Sequence, residues 1–222
     1  MQTFTFSIRQ NLRESWNIVT NHIWFFIGIQ AIGILISLLG QGIALTIITT
    51  VASFGWGIVY KKYSLAAARN QEEALEFSTI KQHLPSFMDM LKVLGIIILS
   101  GLLTLAGFIL LIIPGIYVGI RISFAIMAYI DRKEGVRASI RYSWNITKGK
   151  IWTIALTGIV GVGVYLLGFI ALIIGLVVAA PIVSVLMTRL YVALSTAYNA
   201  KDAVVPQPAE IPADLPETPA QQ

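Results

Sequence analysis

The sequence predicts an all-α integral membrane protein. Six transmembrane helices are arranged as three hairpins, each preceded by a cytoplasmic amphipathic helix. Three observations predict this. The 222 residues are 56% hydrophobic and 12% charged, with a mean hydropathy of +0.78, whereas soluble domains carry about 25% charge. Residues 23–60, 93–130 and 151–188 form three runs of 38 residues; the first and third hold no Asp, Glu, Lys or Arg, and the second holds only Arg121. One span needs about 20 apolar residues, so each run suits two spans. Finally, SWNIVTNHIW at 15–24 is written again as SWNITKGKIW at 143–152.

The repetition sets the unit. Shifted by 128 residues, positions 9–24 give 8 identities in 16, among them Arg9 with Arg137 and Arg13 with Arg141. The register continues without a gap to Lys61 with Arg189 and Tyr63 with Tyr191. Such a match suggests internal duplication. A fainter copy appears at a shift of 72, where Ile8–Leu12 meets Ile80–Leu84. The expected repeats are 5–69, 77–133 and 133–197 within a membrane domain of residues 1–200.

The opening segment is read as an amphipathic helix. Ile8, Leu12, Trp16 and Val19 recur at helical spacing, as do Val136, Ile140 and Trp144. This suits a helix lying in the interface with its apolar face in lipid. Trp16, Trp24, Trp144 and Trp152 are four of the five tryptophans, and indole rings favour the headgroup level, so they are expected as interface anchors. Asn21 and Gly149 share a repeat position and tolerate the left-handed conformation that ends a helix.

The hairpin tips are expected near 40–42, 113–116 and 168–170, with Gly175 as an alternative for the third. The tips are uncharged, while the segments 1–22, 61–92 and 131–150 are basic. The positive-inside rule then places these segments and both termini in the cytoplasm of a multi-pass cytoplasmic (inner) membrane protein. Arg189 is expected to snorkel to the inner interface. Residues 201–222 hold five of the eight prolines and a net charge of −3, and read as a disordered cytoplasmic tail. The first 22 residues show no cleavable signal pattern.

Two sites emerge. Arg121 is the single charge inside a span, about 10 Å past Pro114 along a helix. Burying it costs about 2.5–3.5 kcal/mol on insertion scales, which makes it a functional candidate. A structural role is also open, with Arg121 bonding carbonyls exposed at the Pro114-Gly115 break. Arg9, Arg13, Arg137, Arg141, Lys148 and Lys150 form a basic face suited to anionic lipid headgroups, at about 1 kcal/mol each. The same charges also set topology.

Catalytic and metal chemistry find little footing. There is no cysteine, and His22 and His83 stand apart without metal-ligand spacing. Glu72, Glu73 and Glu76 read as a solvated face. Gly115 and Gly119 fit a small-residue packing motif. No cofactor is expected. Nor is nucleic acid, because the basic residues sit at span ends.

Residues 113–152 also resemble a bacterial superfamily. The pattern is Ile113, Pro114, Gly115, Ile116, Tyr117, then Arg121, Asp131, Ala138, Ser143, Trp144, Lys148 and Gly149. It looks like the membrane domain of glycerophosphoryl diester phosphodiesterases and related integral-membrane families of unknown function. In some relatives that domain precedes a catalytic barrel. This sequence departs there, with a proline-rich stretch and no metal-binding acid cluster, so the resemblance implies the membrane part and not the hydrolase. The leading expectation is a non-enzymatic module that engages lipid, organises membrane or serves a protein partner or homo-oligomer. The alternative is a small transporter or channel with Arg121 lining an anion or headgroup path. A membrane-embedded enzyme is the third class.

Overall fold

The structure, a computed structural model, describes residues 6–38, 43–71, 75–170 and 172–204. Among these the chain is helical throughout, with no strand: α1 (Ile8–Asn21), α2 (Ile23–Leu38), α3 (Ile43–Ala68), α4 (Ile80–His83), α5 (Phe87–Leu110), α6 (Ile112–Ile122), α7 (Ala125–Arg132), α8 (Val136–Ile146), α9 (Ile151–Ile170) and α10 (Leu172–Val204).

Among the described residues, four stretches are long and apolar enough to cross a membrane: Phe87–Ile109, Ile112–Arg132, Ile151–Ile170 and Gly175–Ala200. The pair α1 and α2, bent by 80°, makes a fifth if taken as one span. The outer faces of α5 and α9 are unbroken hydrocarbon, with Leu94, Ile98, Leu102 and Leu105 exposed on one and Ile159, Leu166, Phe169 and Ile170 on the other. In water such faces would be untenable; in lipid they need no cover. Helix α10 is the central element, packing on α9, α3, α1, α2 and α8.

Local chemistry explains the breaks. The chain leaves α5 at Leu111, which is extended, and Pro114 falls in the first turn of α6, where its missing N–H costs nothing. Gly115 lies against Gly107 and Phe108 across this turn, and Gly119 faces Thr104. Gly149 has φ +74°, the left-handed stop expected between α8 and α9. Asn21 does not share it: the residue stays inside α1, and His22 follows at φ −116°. Gly168 passes so close to α10 that an added Cβ would stand 2.8 Å from the Gly175 carbonyl oxygen and from Ala179 Cβ.

Pro181 sits inside α10 and leaves the Val177 carbonyl without its helical donor. Gln30 of α2 supplies the replacement, its Nε2 donating to Val177 O at 2.7 Å. Another polar link joins α3 to α10, Ser64 Oγ to Ser184 Oγ at 2.8 Å. Buried hydrogen bonds of this kind hold helices where lipid offers no alternative partner.

Several expectations are corrected. The second hairpin is not preceded by an amphipathic helix: Phe77–Thr79 is a 3-10 turn and α4 is one turn long. Pro85 is the reason, since it drives Leu84 into an extended conformation at ψ 132°. The apolar stripe of α1 does not lie wholly in lipid, because Val19 is buried in the core and Leu12 packs against the same cluster. For the third tip, α9 is described to Ile170 and α10 from Leu172, so Gly175, the alternative, belongs to α10. Residues 201–204 continue α10 rather than opening a disordered tail; Pro206 follows shortly after. Gly40–Gly42, Glu72, Glu73 and residues 205–222 lie outside the described residues.

Candidate functional site

Arg121 sits near the C-terminus of α6 and is 3% exposed. The helix breaks directly after it, at Ser123 and Phe124, which leaves the Arg121 carbonyl without a full helical partner. Helix α8 supplies hydroxyls instead: Ser143 Oγ donates to Arg121 O at 2.9 Å and Thr147 Oγ1 at 3.3 Å. The guanidinium lies over the Trp144 ring, 4.6 Å from its centroid, and 5.7 Å from that of Tyr117. Those two rings meet edge to face at 6.0 Å. The arginine is therefore held by π faces. Its Nε and Nη1 are buried without a hydrogen-bond partner, so the bonds to carbonyls at the Pro114-Gly115 break are not made by these atoms.

The basic face divides between two helices. Arg9 and Arg13 are exposed on α1, Arg137 and Arg141 on α8, and Lys148 just beyond it; Lys150 is half-buried. Trp24 and Trp152, each the second residue of the following helix, are both 81% exposed. Trp16 is exposed as well, whereas Trp144 turns inward to Arg121.

A polar layer ties the helices together beside these arginines. Arg189 does not simply snorkel: it pairs with Glu14 and donates from Nε to Asn11 Oδ1 at 3.0 Å, fastening α1 to α10. Asp131 accepts from Arg69 at 2.6 Å and from Tyr191 at 2.9 Å. Asp89 accepts from Tyr129 at 2.6 Å and Lys133 at 2.9 Å. Tyr142 donates to Asn199 at 3.1 Å, and burial holds its hydroxyl above the usual phenol range. His83 stacks on Tyr63 at 4.8 Å. No group of three or more His, Asp or Glu among the described residues is placed to hold a metal ion.

A second centre was not singled out by the sequence. A groove of about 590 Å³ runs between α2, α3, α9 and α10, and Lys61 lines it together with Gln30, Ser37, Tyr60, Tyr165 and Ser184. Among the described residues no carboxylate lies within 4.0 Å of the Lys61 ammonium. The Tyr60 hydroxyl is buried beside Ser184. The signal was present in the spacing. Ser53, Gly57 and Lys61 stand four apart and share one face of α3. Next to Lys62, however, Lys61 reads as the end of a span.

No protein-family model, curated protein or solved structure matches this chain. The chemistry available is that of its own side chains: a π-held arginine, exposed cations beside exposed indoles, and a lysine-lined groove.

Proposed function

We propose that this chain is a non-enzymatic protein of the cytoplasmic membrane that crosses the bilayer six times, both termini inside, and engages anionic lipid headgroups. The three hairpins are α2 with α3, α5 with α6 and α7, and α9 with α10. At 1.5 Å per residue the 26 residues of α3 extend about 39 Å, enough for a hydrocarbon core of about 30 Å. The internal repeat is supported by positions 128 apart that share burial. Ser15 and Ser143, Val19 and Thr147, and Tyr63 and Tyr191 are all fully buried, while Trp24 and Trp152 are equally exposed. Kinship with the glycerophosphoryl diester phosphodiesterase membrane domain is part of this proposal and rests on the residue pattern at 113–152. Arg121, Ser143 and Trp144, three residues of that pattern, pack together.

One observation carries the lipid reading. Two amphipathic helices turn pairs of arginines outward, and each runs into an exposed tryptophan. At about 1 kcal/mol per cation, four arginines amount to roughly a thousandfold preference for an anionic surface. The test is native mass spectrometry of the full chain exchanged into mixed phosphatidylcholine and phosphatidylglycerol. The wild type is expected to retain phosphatidylglycerol, and R9Q/R13Q/R137Q/R141Q to lose that preference. Equal retention by both proteins would refute the reading.

A second reading, a small transporter or channel with Arg121 lining an anion or headgroup path, is favoured by the two unpartnered nitrogens of Arg121, Nε and Nη1. Its test is thiol labelling of V118C by a membrane-impermeant reagent. Labelling moves that reading ahead, and a sealed V118C removes it.

A further inference from the structure

Lys61 is a cation inside the apolar body of the helices. A lysine packed among helices at the end of a span is costly to desolvate, and such residues pair with an acid, face water or meet a ligand. Among the described residues Lys61 has no ion-pair partner, although Arg189, its counterpart 128 positions on, has Glu14 and Asn11. It lines the groove instead. The groove has two kinds of wall. At one end stand the Lys61 side chain and the Tyr60 ring. From there the groove follows α3 past Gly57 to Ser53, about 12 Å at 1.5 Å per residue. The opposite wall includes Ile34 and Leu38, both exposed, so the groove opens sideways where lipid would lie. A cationic end and an apolar run fit a ligand with one anionic group on one hydrocarbon chain.

We propose that this groove binds an anionic amphiphile, its carboxylate or phosphate against the Lys61 ammonium and its acyl chain along α2 and α3. The site is distinct from the surface arginines. It rests on the membrane placement of α2 and α3 but not on the headgroup contacts proposed above.

The experiment measures binding by the purified full chain in phosphatidylcholine nanodiscs. The probes are oleate, lysophosphatidate, oleyl alcohol and inorganic phosphate. Oleate or lysophosphatidate is expected to bind, the tighter of the two identifying carboxylate or phosphate as the matched head. K61Q is expected to weaken that binding at least about tenfold, the loss typical of a hydrogen bond to a charged group. K61R retains it. G57F tests the groove without touching charge: a Cβ at Gly57 meets nothing within 4 Å, so the ring extends into the groove lining and displaces the chain. Thermal unfolding checks that each variant folds. The surface variant R9Q/R13Q/R137Q/R141Q keeps the binding, so this site and the surface face fail separately. The proposal is overturned if folded K61Q and G57F bind like the wild type. It is also overturned if oleyl alcohol or inorganic phosphate binds as tightly as the anionic amphiphiles.

Discussion

Gln30 and Pro181 are coupled, and the coupling can be measured. Pro181 removes the donor that would satisfy the Val177 carbonyl, and Gln30 Nε2 takes its place at 2.7 Å. The variant Gln30→Leu keeps a similar bulk and deletes the donor. A buried acceptor left unsatisfied costs about 1–3 kcal/mol, while side-chain hydrogen bonds between membrane helices average about 0.6 and reach about 1.7 kcal/mol. The bond is short and its acceptor has no helical donor, so a loss of about 1–1.5 kcal/mol is expected. For a chain of this size that is a fall of about 2–6 °C in melting temperature. The Pro181→Ala background supplies an N–H to Val177 from within α10. There Gln30→Leu should cost under about 0.5 kcal/mol. The assay is a double-mutant cycle by thermal unfolding in detergent micelles. Equal losses from Gln30→Leu in both backgrounds would refute the account of the bond.

Other outcomes follow from the same geometry. Trp144→Leu should destabilise the wild type by about 2 kcal/mol, because it removes the ring face from a desolvated guanidinium, and much less in an Arg121→Met background; unfolding of the four proteins checks this. Ser143→Ala should cost about 1 kcal/mol through the bond to the Arg121 carbonyl, seen as a lower melting temperature. Gly168→Leu should separate α9 from α10 and lower the yield of folded protein on size exclusion, since even a Cβ would crowd the Gly175 carbonyl. Glu14→Gln should loosen α1 from α10 and speed proteolysis near residue 22, and Arg189→Met in that background should restore part of the protection.

Much of the helical plan was legible because lipid imposes a simple code. Apolar runs must be helices, and their ends are marked by charge. The left-handed stop at Gly149 was readable from residue type alone. What escaped the sequence were pairings between distant helices. Arg189 reads as a lone cation until α1 brings Glu14 beside it, 175 positions away. Gln30 reads as an incidental polar residue until Pro181 gives it a carbonyl to bond. Arg121 is legible as the one charge in its apolar run, but its partners Trp144 and Tyr117 are not, because a ring face leaves no polar signature. The missing helix before α5 was encoded in Pro85, which the faint repeat match obscured.

The central claim is that α1 and α8 lie on the same side of a membrane crossed by paired helices. The chain has no cysteine, so single cysteines report cleanly. Asn17 and Asn145 are exposed on α1 and α8, Ser78 is exposed before α5, and Ile113 is exposed at the second hairpin tip. Labelling by a membrane-impermeant thiol reagent would be compared in intact cells and inverted vesicles. N17C, S78C and N145C are expected to label only in inverted vesicles and I113C only in intact cells. Labelling of N17C and N145C from opposite sides would contradict it, since an odd number of crossings would then separate the two helices.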